Sequence, residues 1–166
     1  SHNLCLLVTY ELFDETEIVA TIREPCEESY QKIAIGIQSL HRQLIIHRDL
    51  KIQNIFMSDL TENARIRIGD LGSAKMLTSL TEKTSFRIGT PGFMAPEVMQ
   101  DSPYSFSCDV WSLGCIMHTM LFATCPFWHD DRQERKRLVC DTSLKLDFDS
   151  NQCAGTLSSA CRNFLI

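Results

Sequence analysis

Long hydrophobic runs are missing from this sequence. The most apolar stretch, Leu113 to Ala123, is 11 residues long and is interrupted by His118 and Thr119, whereas a membrane-crossing helix needs about 20. Glycine and proline are scarce, at seven and five of 166 residues, which excludes collagen-like and low-complexity chains. A basic surplus is also lacking: 16 Lys and Arg against 21 Asp and Glu give a net charge of −5. Nothing electrostatic therefore points to a nucleic-acid or anionic-membrane partner. The eight cysteines (5, 26, 108, 115, 125, 140, 153 and 161) form no C-x-x-C pair and no Cys/His cluster of zinc spacing. They are expected to be reduced thiols, mostly buried as small apolar residues. The start of the chain lacks the charged flank and cleavage site of a secretory leader, so a cytoplasmic protein is expected, with nuclear or cytoskeletal placement open. What remains is a globular profile, 44% apolar and 22% charged, sized for one domain.

Along the chain, Leu4 to Tyr10 reads as a short buried strand followed by an acidic turn. Residues 27–41 predict a helix, because Tyr30, Ile33, Ala34, Ile37 and Leu40 fall on one face. Two strand-like runs follow near 52–57 and 64–68, with the polar residues 58–63 as a hairpin turn. Residues 70–94 are rich in Ser, Thr and Gly without periodicity and predict a long loop, a place where function concentrates. Residues 109–123 are apolar on nearly every side and predict a central helix. The charged run 130–137 reads as a solvated surface helix, and Leu157 to Ile166 as a further helix.

Four short patterns stand in order on these elements. His47-Arg48-Asp49-Leu50-Lys51-Ile52-Gln53-Asn54 is followed by Asp70-Leu71-Gly72, then Gly89-Thr90-Pro91 with Ala95-Pro96-Glu97, then Asp109-Val110-Trp111-Ser112-Leu113-Gly114. The first fits H-R-D-L-x-x-x-N, the second stands for D-F-G and the third contains A-P-E. Together they resemble the eukaryotic protein serine/threonine kinases over nearly the whole chain. Gln53-Asn54-Ile55-Phe56, Gly69-Asp70-Leu71-Gly72 and Tyr104-Ser105-Phe106 resemble the NIMA-related branch most, with the mitogen-activated kinase-kinase-kinase group as the nearest competitor.

The resemblance implies a mainly α fold: the helical C-lobe of a kinase with a small β-hairpin region, the N-lobe largely absent. Residues 1–166 would then be a partial kinase domain, the hinge strand and C-lobe, cut at both ends. It implies ATP and Mg²⁺ as cofactors and a protein as substrate, with no nucleic acid, no membrane and an undefined oligomeric state. Phosphoryl transfer asks a protein mainly for positioning and charge stabilisation. Asp49 would accept the substrate hydroxyl proton, and Lys51 would contact the γ-phosphate and Thr90. Asn54 and Asp70 offer hard oxygen ligands for Mg²⁺. Phe56 would floor the adenine pocket, Val8 would be the gatekeeper and Tyr10 would lie near the hinge. Gly72 would permit the turn that aims Asp70, and His47 would be a packed structural residue.

Arg48 beside Asp49 implies control by a loop phosphate, with Thr84 and Ser85 as candidate acceptors. Leu71 replaces the usual Phe and is expected to pack as a smaller apolar plug; Phe93 stands where Tyr is usual. No Gly-rich loop, V-A-I-K lysine or partner glutamate precedes Leu4. Glu97 is expected to be a buried, poorly compensated charge, costing several kcal/mol. The chain by itself would then be inactive and marginally stable. Alternatives are a pseudokinase or scaffold that binds without catalysis, and a truncated product without function.

Overall fold

The computed structural model describes residues 26–59, 64–141 and 143. The predicted strand at 4–10 and helix at 157–166 lie outside the described residues, as do Val8 and Tyr10.

The first helix, α1, runs Cys26–Arg42. Its apolar stripe turns inward, with Ile33 and Ile37 at 1% and 3% exposure, as the 3.6-residue period requires. Arg42 places positive charge at the negative end of the helix dipole. The chain leaves through tight turns, Gln43 N donating to Leu40 O and Leu44 N to His41 O, both at 2.9 Å. Leu44 takes a left-handed φ of 59°, the conformation that commonly ends a helix.

Four short strands follow: β1 Ile45–Ile46, β2 Ile55–Met57, β3 Ile66–Ile68 and β4 Lys75–Met76. β2 and β3 pair antiparallel, Phe56 opposite Arg67, while β1 pairs antiparallel with β4, Ile46 opposite Lys75. This pairing makes the site. The link from β1 to β2 carries residues 47–54, and the link from β3 to β4 carries 69–74. With β1 on β4 and β2 on β3, the two links must run side by side. Two expectations are corrected here. Residues 52–54 are a 3₁₀ turn, not strand. The supposed loop 70–94 contains a second 3₁₀ turn at Leu71–Ser73, the strand β4, and a bridge between Thr84 and Tyr104. Pairings of two residues have no side-chain period to betray them in sequence.

The short α2, Pro96–Met99, starts with proline at its first position, where no N–H is needed. The long α3, Ser107–Phe122, is the axis of the molecule. Leu113, Ile116, Met117 and Met120 join Ile33, Ile37 and Leu50 in one core. Cys108 joins Ile46, Leu77, Met94, Val98, Met99 and Tyr104 in another, and Trp111 packs against both. A helix apolar all round has this central position because every face needs cover. α4, Arg132–Cys140, is capped by Asp131, whose carboxylate accepts from Glu134 N at 2.8 Å. It is less solvated than its charge suggests, since Arg135 is only 9% exposed and Val139 only 3%.

Among the described residues no helix is long and apolar enough to cross a membrane. Cys108 and Cys115 are buried and Cys125 and Cys140 half-buried, all four as free thiols.

Candidate functional site

The segment 47–51 is held from below by one carboxylate. Asp109, fully buried in the first turn of α3, accepts from His47 N at 2.8 Å, from Arg48 N at 2.9 Å and from His41 Nε2 at 2.8 Å. Two successive amides aimed at one carboxylate fix the peptide plane between them. Arg48 consequently sits at a left-handed φ of 69°, and the turn presents Asp49 upward. His47 is fully buried, as expected, and both ring nitrogens are used. Its Nδ1 accepts from Asp49 N at 3.3 Å, so Nε2 carries the hydrogen donated to Gly69 O at 2.9 Å. The imidazole therefore ties the two parallel links together.

Above this base, three side chains close a triangle. Lys51 Nζ donates to Asp49 Oδ2 at 3.0 Å and to Thr90 Oγ1 at 3.0 Å, and Thr90 Oγ1 donates to Asp49 Oδ1 at 2.6 Å. The Asp49 and Lys51 side chains are 13% and 22% exposed. They are reachable by a ligand yet partly sheltered from water, which strengthens their mutual attraction over that of a surface pair. Thr90 is brought here by Gly89. Its φ is +126°, and an added Cβ would stand 2.8 Å from Arg48 O, so the loop 89–94 can approach Arg48 only without a side chain at that point. Ser112 Oγ on α3 secures the far side of this loop, donating to Phe93 O at 2.7 Å.

Asn54 is 5% exposed, and its Nδ2 donates to Asp49 O at 2.8 Å, which leaves Oδ1 as its free acceptor. Gly69 N donates to Asn54 O at 2.9 Å, setting the segment that carries Asp70 beside it. Asp70 is exposed, and one carboxylate oxygen accepts from Gly72 N at 3.3 Å. Two oxygen donors on adjoining segments suit a hard divalent cation that completes its shell with phosphate and water. Among the described residues no cluster of three or more His, Cys, Asp or Glu could hold a metal unaided. The Phe56 ring lies against Gly69, where a Cβ would come 2.2 Å from it.

Four details differ from expectation. The strained residue of the Asp70 turn is Asp70 itself, at φ 57°, rather than Gly72; aspartate tolerates this region through local hydrogen bonding. Leu71 is 52% exposed and plugs nothing among the described residues. Glu97 is half-buried and accepts from Ser107 Oγ at 3.0 Å, so it is no isolated buried charge. Asp109 and His41, which anchor the whole loop, were not singled out as site residues. The available signal was a lone carboxylate opening an otherwise apolar helix.

The Arg48 side chain reaches the turn that follows Asp70. Its Nε donates to Ser73 O at 2.6 Å, and Nη2 reaches Ala74 O at 3.5 Å. Thr84 exchanges backbone hydrogen bonds with Tyr104 at 2.9 and 2.8 Å, and Tyr104 Oη donates to Phe86 O at 2.6 Å. Burial pushes the Tyr104 phenol up against the opposing pull of Arg48. Ser85 is exposed. Upstream, Glu82 draws together Thr78, through N at 2.6 Å and Oγ1 at 2.7 Å, and Lys75 at 3.0 Å. These hydrogen bonds, those of Thr78 foremost, lower its carboxyl from 4.5 to about 2.

A loop built on H-R-D, a facing Asp-Leu-Gly turn and a central helix that carries both define a protein kinase. The sequence model of the protein kinase domain matches residues 5–166, and the chain belongs to that family. Serine/threonine-protein kinase Nek4 of Mus musculus is 40% identical over 110 residues, 66% of this chain and 12% of that protein. Serine/threonine-protein kinase Nek5 of Homo sapiens is 35% identical over 112 residues, 67% of this chain and 15% of that protein. Serine/threonine-protein kinase akt-1 of Caenorhabditis elegans is 32% identical over 161 residues, 94% of this chain and 29% of that protein. The chain is thus NEK-like, and it spans less than a third of the length of these curated relatives.

Proposed function

We propose that this chain carries the catalytic centre of a serine/threonine protein kinase, which transfers the γ-phosphate of ATP to Ser or Thr hydroxyls of proteins. The described part corresponds, in this reading, to the helical lobe of the domain. The observation that carries it is the Lys51 ammonium bridging Asp49 and Thr90, both at 3.0 Å. A cation so placed can meet a phosphoryl oxygen without leaving the carboxylate it steadies.

In this mechanism Asp49 orients the incoming hydroxyl and takes its proton, while the hydroxyl oxygen bonds to phosphorus and the bond to the ADP oxygen breaks. Thr90 and Lys51 hold one Asp49 oxygen each, which fixes the carboxylate without using all of its lone pairs. Asn54 Oδ1 and the Asp70 carboxylate would hold Mg²⁺, which when bound neutralises charge on the phosphates. Phe56 would lie under the adenine, with Val8 and Tyr10 completing that pocket. Arg48 would receive a phosphate on Thr84 or Ser85; the pairing of Thr84 with Tyr104, whose phenol feels Arg48, supports that reading.

The test is made with this chain as part of a complete kinase domain, because the chain by itself is expected to be inactive. It follows transfer of radiolabelled phosphate from ATP to a general protein substrate, then phosphoamino-acid analysis. Asp49→Asn should lower the rate roughly a hundredfold or more, the range for loss of a general base. An unchanged rate in Asp49→Asn, or label found mainly on tyrosine, would contradict the assignment.

A further inference from the structure

Tyr104 is only 2% exposed, in the core that holds Ile46, Leu77, Val98 and Met99. A phenol so deep needs a partner for its hydroxyl, and it finds one on the loop outside that core: Oη donates to Phe86 O at 2.6 Å. The backbone of the same residue holds the same stretch, Thr84 N donating to Tyr104 O at 2.9 Å and Tyr104 N to Thr84 O at 2.8 Å. Three hydrogen bonds of one anchored residue thus grip both ends of residues 84–86. The Arg48 guanidinium lies against the same phenol, where its hydrogen bond and charge oppose the upward push of burial. The hydroxyl is used as donor and as acceptor at once.

Little else orders this stretch. Phe86 is 72% exposed and Ser85 is exposed as well, so apolar burial contributes little there. Arg48, by contrast, is fixed. Its N donates to Asp109 Oδ1 at 2.9 Å and its Nε to Ser73 O at 2.6 Å, and it is the residue before Asp49. Phe86 O, the Tyr104 hydroxyl and Arg48 therefore form a neutral link from the loop to the segment that carries Asp49. A loop phosphate makes a link to arginine by adding charge; here a hydroxyl already makes one.

We propose that Tyr104 is a positioning residue whose hydroxyl holds residues 84–86 against Arg48 without a phosphate, so that phosphate on Thr84 or Ser85 adjusts the rate rather than switching it on. The effect on rate rests on the kinase reading above; the hydroxyl clamp itself does not.

The experiment compares Tyr104→Phe in two backgrounds, wild type and Thr84→Ala/Ser85→Ala, with this chain as part of a complete kinase domain. Phosphate on the loop is counted by mass spectrometry. Amide exchange at Thr84 and Tyr104 is followed beside phosphate transfer. The double alanine variant should keep its rate within about fivefold of wild type, the low end of a coupling between sites. Adding Tyr104→Phe to it should cost a further factor of roughly ten and lower protection at both amides by a similar factor, the worth of one hydrogen bond. In the phosphorylated wild-type background the same change should cost clearly less, because the phosphate supplies the missing link. A purely structural loss would be equal in both backgrounds, and that result overturns the proposal. So does a double alanine variant without activity while wild type is active. An active wild type that carries no phosphate at either residue supports the proposal directly. Protection that follows the hydroxyl with no transfer by any form sinks the kinase reading alone. Transfer with protection indifferent to the hydroxyl sinks this proposal alone.

Discussion

Removing the Asp109 carboxylate should unseat the segment that carries Asp49. In Asp109→Ala the amides of His47 and Arg48 lose acceptors at 2.8 and 2.9 Å, and His41 Nε2 loses its partner. The site is fully buried, so water does not readily replace the lost oxygen atoms. A buried donor left unsatisfied costs about 1–3 kcal/mol, so two amides cost about 2–6 kcal/mol. That is a large share of the 5–15 kcal/mol typical of a domain. Asp109→Asn keeps the shape and one oxygen but turns an NH₂ group toward a backbone N–H. It should cost about 1.5–3 kcal/mol, the worth of one hydrogen bond to a charged group. Urea denaturation gives the midpoint shifts, and amide hydrogen exchange at His47 and Arg48 gives the local effect. Asp109→Ala should lose protection at both amides first, and Asp109→Asn at the one that faces the NH₂ group. A wild-type midpoint for Asp109→Ala, with both amides still protected, would refute the account of Asp109 as the anchor of the loop.

Gly89→Ala should destabilise by about 1–3 kcal/mol in denaturant, since an L-residue at φ +126° is strained and its Cβ meets the immobile Arg48 O at 2.8 Å. Gly114→Ala is the opposite case: nothing lies within 4 Å of the added Cβ inside α3, and a gain of about 0.5–1 kcal/mol is expected from the same assay. Glu82, held in the fold at about 2 against an ordinary 4.5, stabilises its loop fully above pH 4.5. That contribution fades as pH falls toward 2, because the unfolded carboxyl takes up the proton first. The protection factor of the Thr78 amide, its exchange relative to the intrinsic rate at each pH, should fall through that window in the native protein and stay flat with pH in Glu82→Gln. Burial pushes the Cys108 and Cys115 thiols far up, so neither should react with iodoacetamide at pH 8 until the protein is denatured. Peptide mapping that found either alkylated in the native state would count against the packing around α3.

The sequence by itself determined the chemistry on offer and the helices that carry it. Asp49, Lys51, Asn54, Asp70 and Thr90 are legible because their spacing is local and their residue types are few. The face of α1 is legible because burial repeats every 3.6 residues along it, and α3 is legible as a central helix because it is apolar on nearly every side. Only the tertiary structure decided what these parts meet. Strands β1 and β4, two residues each, are too short to carry a period, and their pairing depends on Ile46 being buried beside Leu77. The left-handed backbone falls on Arg48 and Asp70, which no glycine rule would choose; hydrogen bonds from Arg48 to Asp109 and Ser73, and from His47 to Gly69, hold these segments there. Glu97 reads as a buried charge in sequence but finds Ser107, and Gly92 reads as a loop glycine but finds Trp128. Each is a contact between residues distant along the chain. Such contacts follow from how the helices pack, and local pattern has no means of encoding them.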